Sequence, residues 1–118
     1  MSVRCRQLAA RLRHLPSVHN HIYFNVGFQW DDANLEHIMR HGVRYWEVEE
    51  AFEDNYALRG DAKNVRGERR EAILGATQAG RILLVIYTRR GKKIRPITAR
   101  EAKRREKHRY RKELYGKS

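Results

Sequence analysis

Arginine, glutamate, histidine and tyrosine side chains along this chain form a set that could break a phosphodiester bond without a metal ion. That chemistry needs a base for an attacking hydroxyl, an acid for the leaving oxygen, and cations for the charge developing on the phosphate. Arg95 and Arg100 are candidates for the cationic role, because a guanidinium binds phosphate oxygens through two parallel hydrogen bonds. In the alternative interpretation, Arg100 is merely solvated and Arg95 pairs with Glu106, a carboxylate expected to form a structural ion pair on the least polar stripe of its helix.

Glu68, His41 and Tyr87 are the candidates for proton transfer. Glu68 begins a Glu-Arg-Arg sequence and is the best carboxylate base, although an exposed ion pair with Arg70 would also explain it. His41 precedes a capping glycine, so it could act as an acid or base, or only end a helix. Tyr87 could orient a reactant or donate a proton, and packing in a core strand is the alternative.

A metal site is not predicted. His37 lies one helical turn before His41, and the two imidazoles can share a helix face, but no third ligand is evident nearby. The single cysteine, Cys5, excludes an internal disulfide and disfavours a cysteine-based metal site. We therefore expect neither a metal nor a cofactor.

Positive charge is concentrated at the C-terminal end. The formal net charge is +12, and residues 89–118 carry 14 basic and three acidic side chains. Residues 31–88 are mildly acidic by comparison, with 8 basic and 11 acidic side chains. A cationic block attracts polyphosphates, acidic proteins or anionic lipids, and nucleic acid is the commonest such partner of a small basic domain.

Basic residues recur at three- or four-residue spacing in the last predicted helix and form a cationic ridge there. Four cations of this ridge are predicted to bind RNA, together with one from the turn before the strand at 82–89 and one from the end of that strand: Arg81, Arg89, Lys103, Arg104, Lys107 and Arg111. The ridge could equally dock an acidic segment of a partner protein, or be a solvated charged helix.

Apolar periodicity places two helices before a sheet. Alternation around Phe28 predicts a half-buried strand from about residue 23. Asp31 is a good N-cap for a helix that runs to about His41 and ends at Gly42. A second helix is predicted from Tyr45 to Phe52.

Short strands follow. One starts over residues 56–58, ahead of a polar segment at 59–67, and others cover 69–77, 82–89 and 94–99. Tight turns between consecutive strands predict an antiparallel meander. Pro96 requires its strand to be at an edge or to carry a bulge, and a charged helix is predicted over residues 100–115.

Alternation also predicts which strand residues share a face. Tyr87 and Arg89 should point the same way, and Arg95 should point with Ile97 and Ala99 along the last strand. The pattern alone does not determine which face meets the helices.

Together these elements predict an α+β domain in the order β-α-α-β-β-β-β-α, with helices packed on one antiparallel sheet. We expect the domain to span residues 23–118, and residues 1–22 to be an N-terminal extension, either disordered or a short amphipathic helix broken at Pro16. No apolar run approaches the length of a membrane helix or a secretory signal. No membrane contact and a cytoplasmic location are therefore expected.

An ordered set of short motifs gives the chain a resemblance to a known family. The motifs are Phe28-Gln29-Trp30-Asp31, His41-Gly42-Val43, Glu68-Arg69-Arg70, Leu84-Val85-Ile86-Tyr87-Thr88, the stretch from Ile94 to Arg100, and a last helix with Glu106 and Tyr110. Each motif is short, but their order and spacing over about residues 23–115 resemble the BrnT toxin family.

The resemblance implies a RelE-like fold and the toxic half of a bacterial type II toxin–antitoxin system. It implies an endoribonuclease that cleaves mRNA and inhibits translation, and a cognate antitoxin that neutralises it. The antitoxin would supply the DNA-binding part through which the pair contacts its operator.

Two alternatives to the enzyme remain: a non-catalytic module that binds nucleic acid, and a degenerate toxin that retains only antitoxin binding. The sequence has no helix-turn-helix or aromatic RNA-recognition signature, which disfavours base reading. Cleavage of RNA in EDTA would separate the enzyme from both alternatives.

Overall fold

In the computed structural model, residues 27–116 are described, and they form three helices and a four-stranded sheet. In chain order the elements are α1 (Asp32–Arg40), α2 (Tyr45–Glu53), β1 (Leu58–Val65), β2 (Glu68–Ala76), β3 (Ile82–Arg90), β4 (Lys93–Glu101) and α3 (Arg104–Gly116). The sheet is an antiparallel meander in the order β1-β2-β3-β4. The predicted α+β class is confirmed.

The predicted first strand falls largely outside the described residues. Within them, Phe28 makes a parallel bridge with Ile94 of β4, and the Gln29 N–H donates to the Ile94 carbonyl at 2.8 Å. The predicted extension over residues 1–22 lies outside the described residues altogether.

α1 is defined by its caps. The Asp31 carboxylate accepts the Asn34 N–H at 3.1 Å, and the Asn34 side chain accepts the Asp31 N–H at 2.8 Å. This reciprocal pair satisfies donors that the first helical turn leaves open. At the other end Gly42 has a φ of +76°, the left-handed conformation that ends a helix cheaply in glycine. Both predicted caps are confirmed.

α2 packs unusually close to the sheet, and a glycine allows it. A Cβ added to Gly75 of β2 would lie 2.4 Å from the Ala51 carbonyl oxygen, so a side chain there would push the helix away. Val48 and Ala51 are fully buried on this side of the helix.

β1 occupies most of the polar segment at 59–67, in which the sequence pattern predicts no strand. It pairs with β2 from Leu58 opposite Leu74 to Ala62 opposite Arg70. As an edge strand it buries few side chains, so it lacks the apolar alternation by which a strand is recognised in a sequence.

A bulge in β4 changes the predicted facing of Arg95. Tyr87 pairs with Pro96 but Ile86 pairs with Thr98, so one extra residue is accommodated at position 97 beside the proline. Arg95 therefore pairs with Thr88 and points away from the face that carries Ala99. The expectation that Arg95 shares a face with Ala99 was wrong, because a bulge shifts the alternation by one residue.

The sheet buries side chains on both faces. One face packs against α1 and α2 through a core that contains Trp30, Ile38, Val48, Val85 and Tyr87. The other face packs against α3, where Leu74 and Ile82 meet Ala102 and Tyr110.

α3 begins later than predicted. Leu84 pairs with Arg100 and Leu83 with Glu101, so Arg100 is a strand residue and does not belong to the cationic helix. None of the described helices is long and apolar enough to cross a membrane.

Candidate active site on the open face of the sheet

Among residues 27–116, α3 alone covers the sheet face opposite α1 and α2, and it does so at one end. Leu74 and Leu84 pack against α3, whereas Ala72 and Ile86, further along the same face, are half-buried and belong to neither core cluster. Strand pairing puts these cations on this face: Arg70, Arg90, Lys93, Arg95 and Arg100. We call this uncovered part, with Ala72, Ile86 and Thr98 as its floor, the open face.

Arg100 stands at the border between the open face and α3. Its guanidinium donates to both Glu106 oxygens, at 2.9 and 3.0 Å, and also to the Glu101 carbonyl at 3.2 Å. The hydrogen bonds from Arg100 to the Glu106 carboxylate lower the pKa of Glu106 to about 2. The structure therefore confirms Glu106 as an ion-pair residue, but its partner is Arg100 and not Arg95.

Arg95 is held by the N-cap of α1. It donates to Asp31 at 2.8 and 3.4 Å, and the hydrogen bond from Arg95 lowers the pKa of that carboxyl below its usual range. One ion pair thus fastens α1 to β4 and fixes the direction of the guanidinium.

Glu68 lies on the same face, where it is shared by two arginines. One carboxylate oxygen is 3.7 Å from Arg70, and the other accepts from Arg90 at 3.1 Å. The ion pair with Arg70 that the sequence allowed is present. The Arg70 Nε is buried and has no hydrogen-bond partner among the described residues.

His37, which the sequence reasoning considered only as a metal partner of His41, borders the open face. Its Nε2 lies 3.1 Å from the Thr98 hydroxyl. His41 is exposed at the end of α1, with its ring 5.1 Å from that of His37. The polar side chains of Asp31, Asn34 and His37 recur every third residue and all contact β4. That spacing is the signal that could have identified His37.

Tyr87 and Arg89 lie on the opposite face of the sheet. Tyr87 is fully buried, donates to Glu71 at 3.1 Å and accepts from Arg59 at 3.4 Å. Burial raises the pKa of its hydroxyl, and its ring packs edge-on against Phe52. Arg89 pairs with Glu71 at 2.9 Å. The structure therefore does not bring these two residues together with Arg95 and Arg100.

Arg81 connects three elements at the end of the sheet near α3. It donates to Glu47 of α2 at 3.0 Å, to the Gly42 carbonyl at 3.0 Å and to Glu101 of β4 at 3.3 Å. Glu101 also accepts from Lys107 at 2.8 Å. Arg81 and Lys107 therefore both pair with carboxylates of the protein itself.

Lys103 and the remaining basic residues of α3 are exposed to solvent. Within the described residues they make no ion pair. We call them the cationic helix face: Lys103, Arg104, Arg105, His108, Arg109, Arg111 and Lys112. This face adjoins the open face through Arg100 and its bonds to Glu106.

The described residues contain no group of three or more histidine, cysteine, aspartate or glutamate side chains arranged to hold a metal ion. The groups described above are arginine, histidine and carboxylate side chains, which can bind an anion and transfer protons.

A protein-family model described as a ribonuclease toxin, BrnT, of a type II toxin–antitoxin system matches residues 30–106, more than half of the chain. No curated protein matches the chain.

Proposed function

The chain belongs to the BrnT family of type II toxin–antitoxin ribonuclease toxins, and we propose that it cleaves mRNA on the open face and thereby inhibits translation. The observation that supports this site is the group of arginines that strand pairing and the β4 bulge place on one uncovered sheet face. A family of this kind implies an RNA substrate and an antitoxin partner.

Arg95 and Arg100 bind the scissile phosphate in this proposal. Their ion pairs fix the direction of both guanidinium groups before the substrate arrives, which reduces the entropy that is lost on binding. The Arg100 Nε has no acceptor among the described residues, so Arg100 can contact a phosphate without giving up Glu106.

His37 is our first candidate for the base, and Glu68 is the second. The imidazole borders the open face at Thr98, and histidine is the side chain that enzymes use most often as a general base. Glu68 is already shared by two arginines, so it would have to exchange a partner to react. The base would take the proton of the 2′-hydroxyl of RNA as its oxygen attacks the adjacent phosphate. The bond from phosphorus to the 5′-oxygen of the next nucleotide would break, that oxygen would leave with a proton, and a 2′,3′-cyclic phosphate would remain. DNA lacks the 2′-hydroxyl and would not be cleaved.

The experiment is incubation of the purified chain with labelled RNA in EDTA, beside Arg95→Ala and Arg95→Lys. Cleavage by the wild type and its loss in Arg95→Ala would support a metal-independent site on the open face. Arg69→Ala is the matched control, because Arg69 is exposed on β2, two strands away from Arg95, and lies on the sheet face opposite to Arg70. No cleavage by the wild type, free or on ribosomes, would contradict the proposal.

A cognate antitoxin would neutralise the toxin by covering these cations, and the pair would contact operator DNA through the antitoxin. Both toxin and antitoxin would act in the cytoplasm. Growth arrest on expression of the chain, relieved by co-expression of the antitoxin, would support this part of the proposal.

A toxin that has lost its activity and retains only binding is the second candidate. One observation favours it: Arg95, Arg100 and Glu68 are all engaged in ion pairs. Such a protein would bind RNA or the antitoxin but would cleave no RNA.

A further inference from the structure

The two tryptophans of the chain differ in their surroundings. Trp30 is 2% exposed, belongs to the core, and donates its indole N–H to Glu49 at 2.9 Å. Trp46 lies in the first turn of α2 and is only half-buried. A large aromatic ring left partly in solvent beside cations is a recurrent feature of sites that bind single-stranded nucleic acid.

A surface pocket of about 490 Å³ surrounds Trp46. Its lining consists of Gly42, Arg44, Trp46, Glu47 and Arg81. The Arg44 guanidinium lies 6.0 Å from the ring centroid of Trp46, which is at the outer limit of a cation–π contact. The Trp46 ring also packs edge-on against Tyr45, with 5.5 Å between the ring centroids. A flat ligand that entered between Arg44 and Trp46 would replace only the weak contact between these two side chains.

The carboxylates at this pocket are neutralised. Glu47 accepts two hydrogen bonds from Arg81 at 3.0 Å and one from the Arg44 N–H at 3.0 Å. Arg81 also pairs with Glu101, which in turn pairs with Lys107 at the start of α3. A strand of phosphates passing from the cationic helix face toward the pocket would therefore meet no unpaired carboxylate among these residues.

A short series of contacts connects the pocket with the open face. Gly42 of the pocket follows His41, whose ring lies 5.1 Å from that of His37. His37 in turn lies 3.1 Å from Thr98 on the open face. The pocket is thus a neighbour of the site where the proposed cleavage occurs.

We propose that Trp46 stacks on one nucleobase of a single-stranded RNA, with Arg44 closing on the other side of the base. The inference rests on the proposed function, since it adds a base-binding subsite next to the cleavage site. Stacking on Trp46 selects for an unpaired base without reading which base it is. The toxin would then prefer single-stranded regions of its substrate.

Tryptophan emission tests this directly, because the chain has two tryptophans and one of them is buried. The probe is a short 2′-O-methyl RNA, which lacks the attacking hydroxyl and is not cleaved. We expect it to quench the emission of the wild type but not that of Trp46→Phe, in which Trp30 is the fluorophore that remains. An RNA of equal length with abasic sites keeps the phosphates and should quench much less.

Affinity for the same RNA gives a second readout. Trp46→Ala should weaken binding by about fivefold or more, and Trp46→Phe by much less, because phenylalanine still stacks. The salt dependence of binding should not change, since no phosphate contact is removed. Tyr56→Ala is the matched control, because Tyr56 is 46% exposed on the loop after α2, outside the pocket lining.

The outcomes separate this inference from the proposed function. Quenching that depends on Trp46 and on the bases supports the subsite even if no RNA is cleaved. Unchanged affinity in Trp46→Ala, or equal quenching by the abasic RNA, would overturn the subsite and leave the cleavage proposal standing. Quenching by the antitoxin and not by RNA would show that the pocket binds protein and would also overturn it.

Discussion

The arginines of β4 and those of α3 belong to one basic stretch of sequence, yet the fold gives them different surroundings. Arg95 and Arg100 are held by carboxylates at 2.8 and 2.9 Å, with side chains 16% and 33% exposed. Arg104 and Arg111 are exposed, and the described residues offer them no ion pair. A guanidinium fixed by an ion pair meets the substrate in one orientation, whereas a solvated guanidinium can change conformation and bind a phosphate in several positions. We therefore expect β4 to determine the cleavage rate and α3 to determine RNA affinity.

Arg100→Ala should produce the largest effect. Loss of one group that stabilises the developing charge typically costs 10² to 10³ in rate, so we expect the cleavage rate at saturating RNA to fall by about 100-fold or more. The affinity for RNA should change much less. Arg100→Lys should recover only part of the rate, because an ammonium cannot make two parallel bonds. Single-turnover kinetics with excess protein measure the rate separately from binding.

Glu106→Gln is the control for this prediction, because it removes the ion pair but keeps the guanidinium. If Arg100→Ala cleaves at the wild-type rate while its unfolding curve is normal, the division between a rate-determining strand and an affinity-determining helix is incorrect.

The strength with which Glu106 holds Arg100 can be measured from the pH dependence of stability. The pKa of Glu106 is about 2 in the folded protein against 4.5 ordinarily. Because the folded pKa is depressed, the stabilisation is complete above pH 5 and is lost as the pH falls toward 2. With screening at a carboxylate 28% exposed, we expect about 1–2 kcal/mol of unfolding free energy.

Urea unfolding of the wild type and Glu106→Gln at pH 7 and pH 3 tests this value. The wild type also loses stability at low pH through Asp31, whose pKa is lowered by its bond to Arg95. The glutamine variant should be less stable at pH 7 and should lose less on acidification. An equal loss in both proteins would mean that Glu106 holds Arg100 only weakly.

The double variant Arg104→Ala, Arg111→Ala tests the other region. Each phosphate contact to single-stranded RNA contributes about 0.7 to the slope of log affinity against log salt, so this slope should fall by about 1.4. The cleavage rate at saturating RNA should not change. Removal of Lys63 and Arg69, which are exposed on β1 and β2, is the control with the same loss of charge. An unchanged slope in the α3 variant would mean that this helix does not bind RNA.

Local signals predicted much of the fold. Asp31, Gly42 and the apolar run of β3 act on their own neighbours, so a capped helix and a buried strand could be read from the residues alone. The start of β1 was predicted, but its extent was not, because an edge strand needs no apolar alternation. The start of α3 was misplaced because the pairing of Arg100 with Leu84 is a long-range contact.

The candidate site was harder to predict, because it depends on which face of the sheet each strand residue occupies and on which helix packs against that face. A bulge at position 97 decides the face of Arg95, and a single sequence contains no local signal for its exact place beyond Pro96. The carboxylate partner of Arg100 likewise depends on how α3 crosses the sheet. The residue types for phosphate binding were therefore predictable, whereas their grouping with His37 and Arg70 was not.

Tyr87→Phe should have the smallest effect on cleavage, although sequence reasoning made Tyr87 a candidate for proton transfer. Its hydroxyl faces away from Arg100 and is bonded to Glu71 and Arg59. We expect the cleavage rate to stay within about twofold of the wild type, far from the 10² to 10⁴ that loss of a general acid costs. Stability should fall by about 1 kcal/mol for the lost hydrogen bonds. A hundredfold loss of rate in a folded variant would place the chemistry on the helix-covered face, and the open face would then serve binding alone.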